Sequence, residues 1–468
     1  MPPRAASEEE VVMKKLLIAI LMLAAFQSAL SSNVKLPPIT EDTLENGLVV
    51  VAIENHELPT VTMRLVIRSG SAFDPPARAG LANFTADILR TGTKTRSATQ
   101  ISEEIDFVGG SLGASADRDA INVSCGVLLK HLDVGLELLS DVILHPVFDT
   151  TEIERLRNQI ISAIVQAKDD PNSLNAKGFN KLLFGDHPYG HPVVGTESSV
   201  SAITREDIAR FYGDFFHPNN SFLVVAGDIR PQEILTKIGG AFAEWKQAEI
   251  PQLKVSPPPD PSGYTILLIN KPDATQTQIR FGRFGITRQD PDFYPFMVMN
   301  YILGVGFTSR LTQDVRVKGG KTYDIRTQNE WNAMRGAYYC NTFTENDSTM
   351  SAINAALRVI RGMREAEVTD QEYTDAVNFY SGYYPMTLET PDQVAAEIIK
   401  VKLYGLPVSY IQDFTQNISK VTKADILRAA QKYIDPDNMV FCVVSNADDV
   451  ADGLRKLGEV TIIGVDEP

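Results

Sequence analysis

Cysteine is scarce in this 468-residue chain: three occur, at Cys125, Cys340 and Cys442. Each sits in an apolar, alternating run that reads as a strand, where a lone buried thiol behaves as a small hydrophobe. No disulfide framework is therefore expected. The lack of any cysteine before position 125 also removes the acceptor that a lipoprotein anchor needs. Positive charge is short as well: 44 Lys and Arg against 59 Asp and Glu leave a net charge of −15. That balance argues against a nucleic-acid or anionic-membrane surface and favours solubility. The one notable apolar run lies near the start. Met13-Lys14-Lys15 and the apolar residues 16–25 form the basic start and short core of a secretory signal peptide, with Ala29-Leu30-Ser31 as the cleavage region. The run is too short to span a bilayer. The acidic Glu8-Glu9-Glu10 ahead of it is wrong for the start of a signal, which favours Met13 over Met1 as initiator. Residues 1–31 are thus expected to be an extension and signal peptide, and the mature protein to be periplasmic or secreted, with no stable membrane anchor.

The remaining chain is too long for one core, and it repeats itself. Thr204-Arg205-Glu206-Asp207-Ile208-Ala209-Arg210 with Pro218-Asn219-Asn220 recurs, shifted by 218 residues, as Thr422-Lys423-Ala424-Asp425-Ile426-Leu427-Arg428 with Pro436-Asp437-Asn438. In each copy a helix capped by threonine runs to a Pro-Asn turn and an apolar strand, 222–226 or 440–444. Two homologous halves, 38–247 and 263–462, are the simplest account. Residues 248–262 between them hold Pro257-Pro258-Pro259-Asp260-Pro261 and read as a semi-rigid linker. Strand patterns at 48–53, 61–67 and 264–269 precede helical ones at 132–144, 151–168 and 350–366. That order predicts an α+β fold with each sheet covered by helices.

The stretch Gly80-Leu81-Ala82-Asn83-Phe84-Thr85-Ala86-Asp87-Ile88-Leu89 has the frame of a zinc-peptidase helix of the H-x-x-E-H type. There two histidines on one helical face grip zinc and the glutamate takes the proton of the attacking water. The three chemical positions here are Asn83, Ala86 and Asp87. A small-residue turn, Arg78-Ala79-Gly80-Leu81-Ala82, leads in, and Gly92-Thr93 follows. In this frame the chain resembles the insulinase/pitrilysin family of metallopeptidases. The resemblance places the last zinc ligand before the turn Asp169-Asp170-Pro171, at Ala163. It extends to His187-Pro188-Tyr189-Gly190-His191, whose prolines forbid a metal-binding helix; both histidines read as turn residues. His56-Glu57-Leu58-Pro59-Thr60 likewise reads as a loop between strands. The family implies two similar halves, each a pair of α+β subdomains, hinged by the linker into a bowl.

In the second half, Gly304-Val305-Gly306-Phe307-Thr308-Ser309-Arg310-Leu311 and the later Arg316 and Tyr323 resemble the family's glycine-rich loop and its R-x-x-x-G-x-x-Y element. The resemblance implies that Arg316, Tyr323, Gly304 and Gly306 contact substrate. A guanidinium and a phenol are donors suited to a peptide carbonyl. Zinc needs three protein ligands, which Asn83, Asp87 and Ala163 do not supply, so no cofactor is expected in this chain. The family contains two-chain enzymes, such as the mitochondrial processing peptidase, with one zinc-bearing and one inactive subunit. By that resemblance the chain is expected to be a non-catalytic subunit paired with a zinc-bearing homologue and acting on peptides or unfolded segments. A structural scaffold, a stand-alone peptide-binding protein and, least favoured, an enzyme using another metal remain as alternatives.

Overall fold

The computed structural model describes residues 36–467; the signal segment expected at 1–31 lies outside them. Two six-stranded sheets organise the molecule. The first holds β1 (Ile39–Thr43), β2 (Val49–Glu54), β3 (Thr60–Ile67), β4 (Ser111–Ala116), β5 (Ile121–Leu128) and β6 (Ser221–Gly227), in the order β1-β2-β6-β3-β5-β4. The second holds β7 (Tyr264–Asn270), β8 (Gln276–Phe284), β9 (Ile325–Trp331), β10 (Arg335–Glu345), β11 (Met439–Ser445) and β12 (Glu459–Gly464), in the order β12-β7-β11-β8-β10-β9. Five strands of each sheet correspond one to one. The outer edge breaks the symmetry, because β1 runs antiparallel to β2 whereas β12 runs parallel to β7. The α+β class and the two halves are as the sequence led one to expect, with one refinement: each half is a single sheet-centred unit.

The repeat seen in sequence marks equivalent elements. Thr204 and Thr422 cap the helices Arg205–Phe215 and Lys423–Tyr433, each closing a capping box with an aspartate three residues on. The following β6 and β11 are buried along their whole length because both faces are covered. Along β6 the side chains alternate as a strand requires. Leu223 and Val225 enter the first half's own core, while Phe222, Val224 and Ala226 enter a core shared with the second half.

That sharing comes from an exchange of helices. Helix Pro171–Phe184 of the first half lies on β7, β8 and β11, and helix Pro391–Leu403 of the second half lies on β3 and β6. Both begin alike, with Asp170 or Thr390 as cap and proline in the first turn. Asn175 fastens the first helix by donating to the carbonyls of Cys442 at 2.8 Å and Gln278 at 3.2 Å. Arg64 of β3 forks onto Asp392 at the start of the other, with contacts of 2.5 to 3.0 Å. Residues 248–262 adopt neither helix nor strand, so packing, not the linker alone, fixes the halves.

A further polar knot joins them at Asp119, which is buried in the turn before β5. One carboxylate oxygen accepts the Tyr189 hydroxyl; the other accepts the Ala333 amide at 2.8 Å and the Tyr404 hydroxyl at 3.4 Å. The three cysteines are free and buried on β5, β10 and β11, and burial pushes the Cys125 and Cys442 thiols up to about 12. Among the described residues no helix is long and apolar enough to cross a membrane.

Candidate functional site

Helix Leu81–Ile88 carries the residues that the resemblance aligns with a zinc-binding helix. Its start is built by Asp74, whose carboxylate accepts the Gly80 and Ala82 amides at 2.8 Å each. Gly80 takes φ of 96°, and a Cβ there would come within 2.7 Å of the Val194 carbonyl; only glycine fits. This contact ties the small-residue turn to the loop after His191 and gives both motifs a structural role. His187 caps its own turn by accepting the Tyr189 amide at 3.1 Å. Burial lowers the pKa of both His187 and His191. They are turn residues, and His56, in the loop between β2 and β3, is held by Asp228 and Glu54 at 2.6 and 2.8 Å.

Asn83 and Asp87, one turn apart, bond to each other, with the Asn83 amide donating at 3.1 Å. Burial raises the Asp87 carboxyl, and the nearby Arg90 and Asn83 partly offset that shift. Ala163 faces them from helix Thr150–Gln166, and all three line one cleft of about 630 Å³. Ala86, at the general-base position, is fully buried in the first half's core. The cleft therefore offers one carboxylate, already hydrogen-bonded, an amide and a methyl group, a set that does not fit zinc.

Arg316 and Tyr323 lie elsewhere. They line a separate cleft of about 520 Å³ in the second half, with Phe307 and Phe343 among its walls. Arg316 sits on a π-helical turn, Thr312–Lys318, a winding often found at functional sites. Its guanidinium lies 5.7 Å from the centre of the Phe307 ring, and it forms no ion pair with another described residue. Tyr323 is 80% exposed. Gly304 and Gly306 do not line this cleft. A Cβ on Gly304 would meet the Thr327 hydroxyl at 2.3 Å and amide at 2.8 Å, and one on Gly306 would meet the Tyr301 ring at 2.9 Å. Both glycines are tightly packed against these neighbours. Sequence reasoning missed Asp119 and Tyr404, which stand in no motif, and the ring stack of Tyr301, Phe379 and Tyr383. The ring stack could have been found by extending the repeat into the helices.

Comparison with known proteins accounts for this architecture. Residues 49–197 match the family described as Insulinase (Peptidase family M16), and residues 202–380 match the one described as Peptidase M16 inactive domain. A Rickettsia bellii protein named "Uncharacterized zinc protease" is 27% identical over 83% of this chain and 93% of its own. The "Non-peptidase homolog YmxG" of Helicobacter pylori is 24% identical over 85% of this chain and 91% of its own. Among solved structures, a peptidase M16 inactive domain from Pseudomonas fluorescens superimposes with a TM-score of 0.82 at 25% identity, covering 87% of this chain and 97% of that one. The chain belongs to peptidase family M16, the insulinase family. Within that family it is an inactive member, in keeping with the inactive-domain match and with a cleft at Asn83, Asp87 and Ala163 whose side chains do not fit zinc.

Proposed function

We propose that this chain is the non-catalytic subunit of a heterodimeric zinc peptidase, exported to the periplasm or secreted. A homologous partner carries the zinc and the general base, and this chain contributes Arg316 and Tyr323 to grip the peptide in the partner's active site. The observation that carries the reading is the contrast between the two clefts. The metal positions have lost their ligands, whereas Arg316 and Tyr323 share one open cleft, the first without an ion pair among the described residues and the second 80% exposed. Both are donors left free to meet a carbonyl. The substrates are peptides or unfolded segments, and the export reading rests on the segment 13–31.

The test is to co-express the chain with a homologue that has an intact H-x-x-E-H helix, isolate the pair and measure peptide turnover. Donors aimed at a developing oxyanion contribute on the order of 10²–10³ in rate, so Arg316→Ala and Tyr323→Phe should each cause a loss of that order with assembly intact. Unchanged turnover would make the chain a scaffold.

A further inference from the structure

The first half has an open cleft on a helix face where the second half carries stacked aromatic rings. Helices Thr150–Gln166 and Asp370–Met386 are copies, each 17 residues long and shifted by 220 at both ends. On that shift Gln159 and Ala163 correspond to Phe379 and Tyr383. In the second half these two rings stack at 5.2 Å, and Phe379 also stacks on Tyr301 at 4.5 Å. In the first half the same helix face, with Gln159 and Ala163, borders the 630 Å³ cleft beside Asn83 and Asp87. The face that carries two rings in the second half thus carries Gln159 and Ala163 in the first, and the space beside Asn83 and Asp87 stays open.

The cleft runs on into a second cavity of about 320 Å³, with Ile164, Ala167 and Val194 as common walls. Three basic side chains line this inner cavity, and two of them are engaged. Arg118 donates to the Tyr189 carbonyl at 2.5 Å, and Lys168 pairs with Glu197 and Asp466 at 2.6 Å. Lys177 forms no ion pair or side-chain hydrogen bond with another described residue, and burial and the nearby Lys168 lower its pKa. Beside it Asn180 presents a buried side-chain oxygen without a partner. At the outer end Asp87 and Arg90 offset each other. At the other end Arg118 lies 4.0 Å from Glu330 and Lys168 is held by two carboxylates, so Lys177 is the one basic side chain of the second cavity without an ion pair among the described residues.

We propose that this trough binds the carboxyl-terminal end of a peptide whose last side chains are apolar, with its carboxylate on Lys177, and that it does so without any partner subunit. The walls take the side chains, Lys177 supplies the counter-charge, and the Asn180 oxygen accepts a peptide N–H, a donor that a fatty acid lacks. This site is independent of Arg316 and Tyr323, so either proposal can fail alone.

The experiment uses the isolated chain and a peptide ending in three apolar residues, labelled at its amino end and read by fluorescence anisotropy. The free acid should bind, and its carboxy-terminal amide should bind about tenfold or more weakly, the effect of losing a hydrogen bond to a charged group. Lys177→Met should bring acid and amide together, and Lys177→Arg should restore the difference. Gln159→Phe with Ala163→Tyr, which copies the second half's ring pair, should abolish binding of both peptides. An unchanged melting temperature shows that each variant is folded. Equal affinity for acid and amide, full binding by the ring-pair variant, or displacement of the peptide by decanoate but not by unlabelled peptide would each overturn the proposal.

Discussion

Removing the Asp119 carboxylate tests whether the two halves unfold as one body. Asp119→Ala leaves the Tyr189 hydroxyl and the Ala333 amide without their acceptor in a site from which water is largely excluded. Each stranded donor costs about 1–3 kcal/mol, so the loss should be about 2–6 kcal/mol. The weaker Tyr404 contact at 3.4 Å adds little. Tyr189→Phe should cost less, because Ala333 keeps its bond, and the two substitutions together should cost less than their sum. The chain has two tryptophans, Trp245 in the first half and Trp331 in the second. Variants retaining one or the other report each half separately during urea unfolding. Both reporters should show the same midpoint, and Asp119→Ala should lower both together. pH supplies a second check. Burial holds the Asp119 carboxyl above its ordinary value, so the folded protein binds that proton more tightly than the unfolded chain. The group's contribution is full below the unfolded value of about 3.9 and is lost as pH rises through the raised folded value. Asp119→Asn should flatten that slope. A loss below about 0.5 kcal/mol, the range of ordinary surface substitutions, or a shift of one reporter alone, would refute the reasoning.

Other predictions follow from the same geometry. Adding Zn²⁺ to the isolated, metal-stripped chain should leave metal far below stoichiometric by elemental analysis and yield no peptide hydrolysis; restored hydrolysis would overturn the reading of the Asn83, Asp87 and Ala163 positions. Gly304→Ala should lower the melting temperature by the equivalent of about 1–3 kcal/mol, a usual cost of overpacking, since the new methyl meets backbone as well as side chain of Thr327. Glu372, held by Arg310 at 2.6 Å, has its carboxyl pulled down to about 2. Its stabilising effect is present above the unfolded value of about 4.3 and is lost as pH falls towards 2. Glu372→Gln should therefore cost about 1 kcal/mol at neutral pH, after allowance for solvent screening, and nothing near pH 2, measured by urea titrations at the two pH values.

Local signals made much of this legible in the sequence. Thr204 and Thr422 announce their helices because a cap acts within three residues, and 222–226 and 440–444 announce strands because they are apolar on both faces. That Asn83, Asp87 and Ala163 share one cleft was foreshadowed by the resemblance, which sets them at fixed spacings on two helices. The exchange of helices was not. Pro171–Phe184 and Pro391–Leu403 carry ordinary amphipathic patterns, and nothing within such a helix says which sheet it covers. Asp119 and Lys177 escaped for the same reason, since burial by distant segments gives each its character. The resemblance marked Gly304 and Gly306 as a glycine-rich loop, but their close packing against Thr327 and Tyr301 joins segments distant in sequence and could not be read there.

The crossing of helix Pro391–Leu403 onto β3 and β6 has a consequence for biosynthesis. During translation the amino-terminal sheet is complete once β6 has emerged, yet one of its apolar faces stays bare until more than 150 further residues have been made. The nascent protein leaves Phe222 and Val224 without that cover over the interval, so completion of the shared core is tied to the end of synthesis.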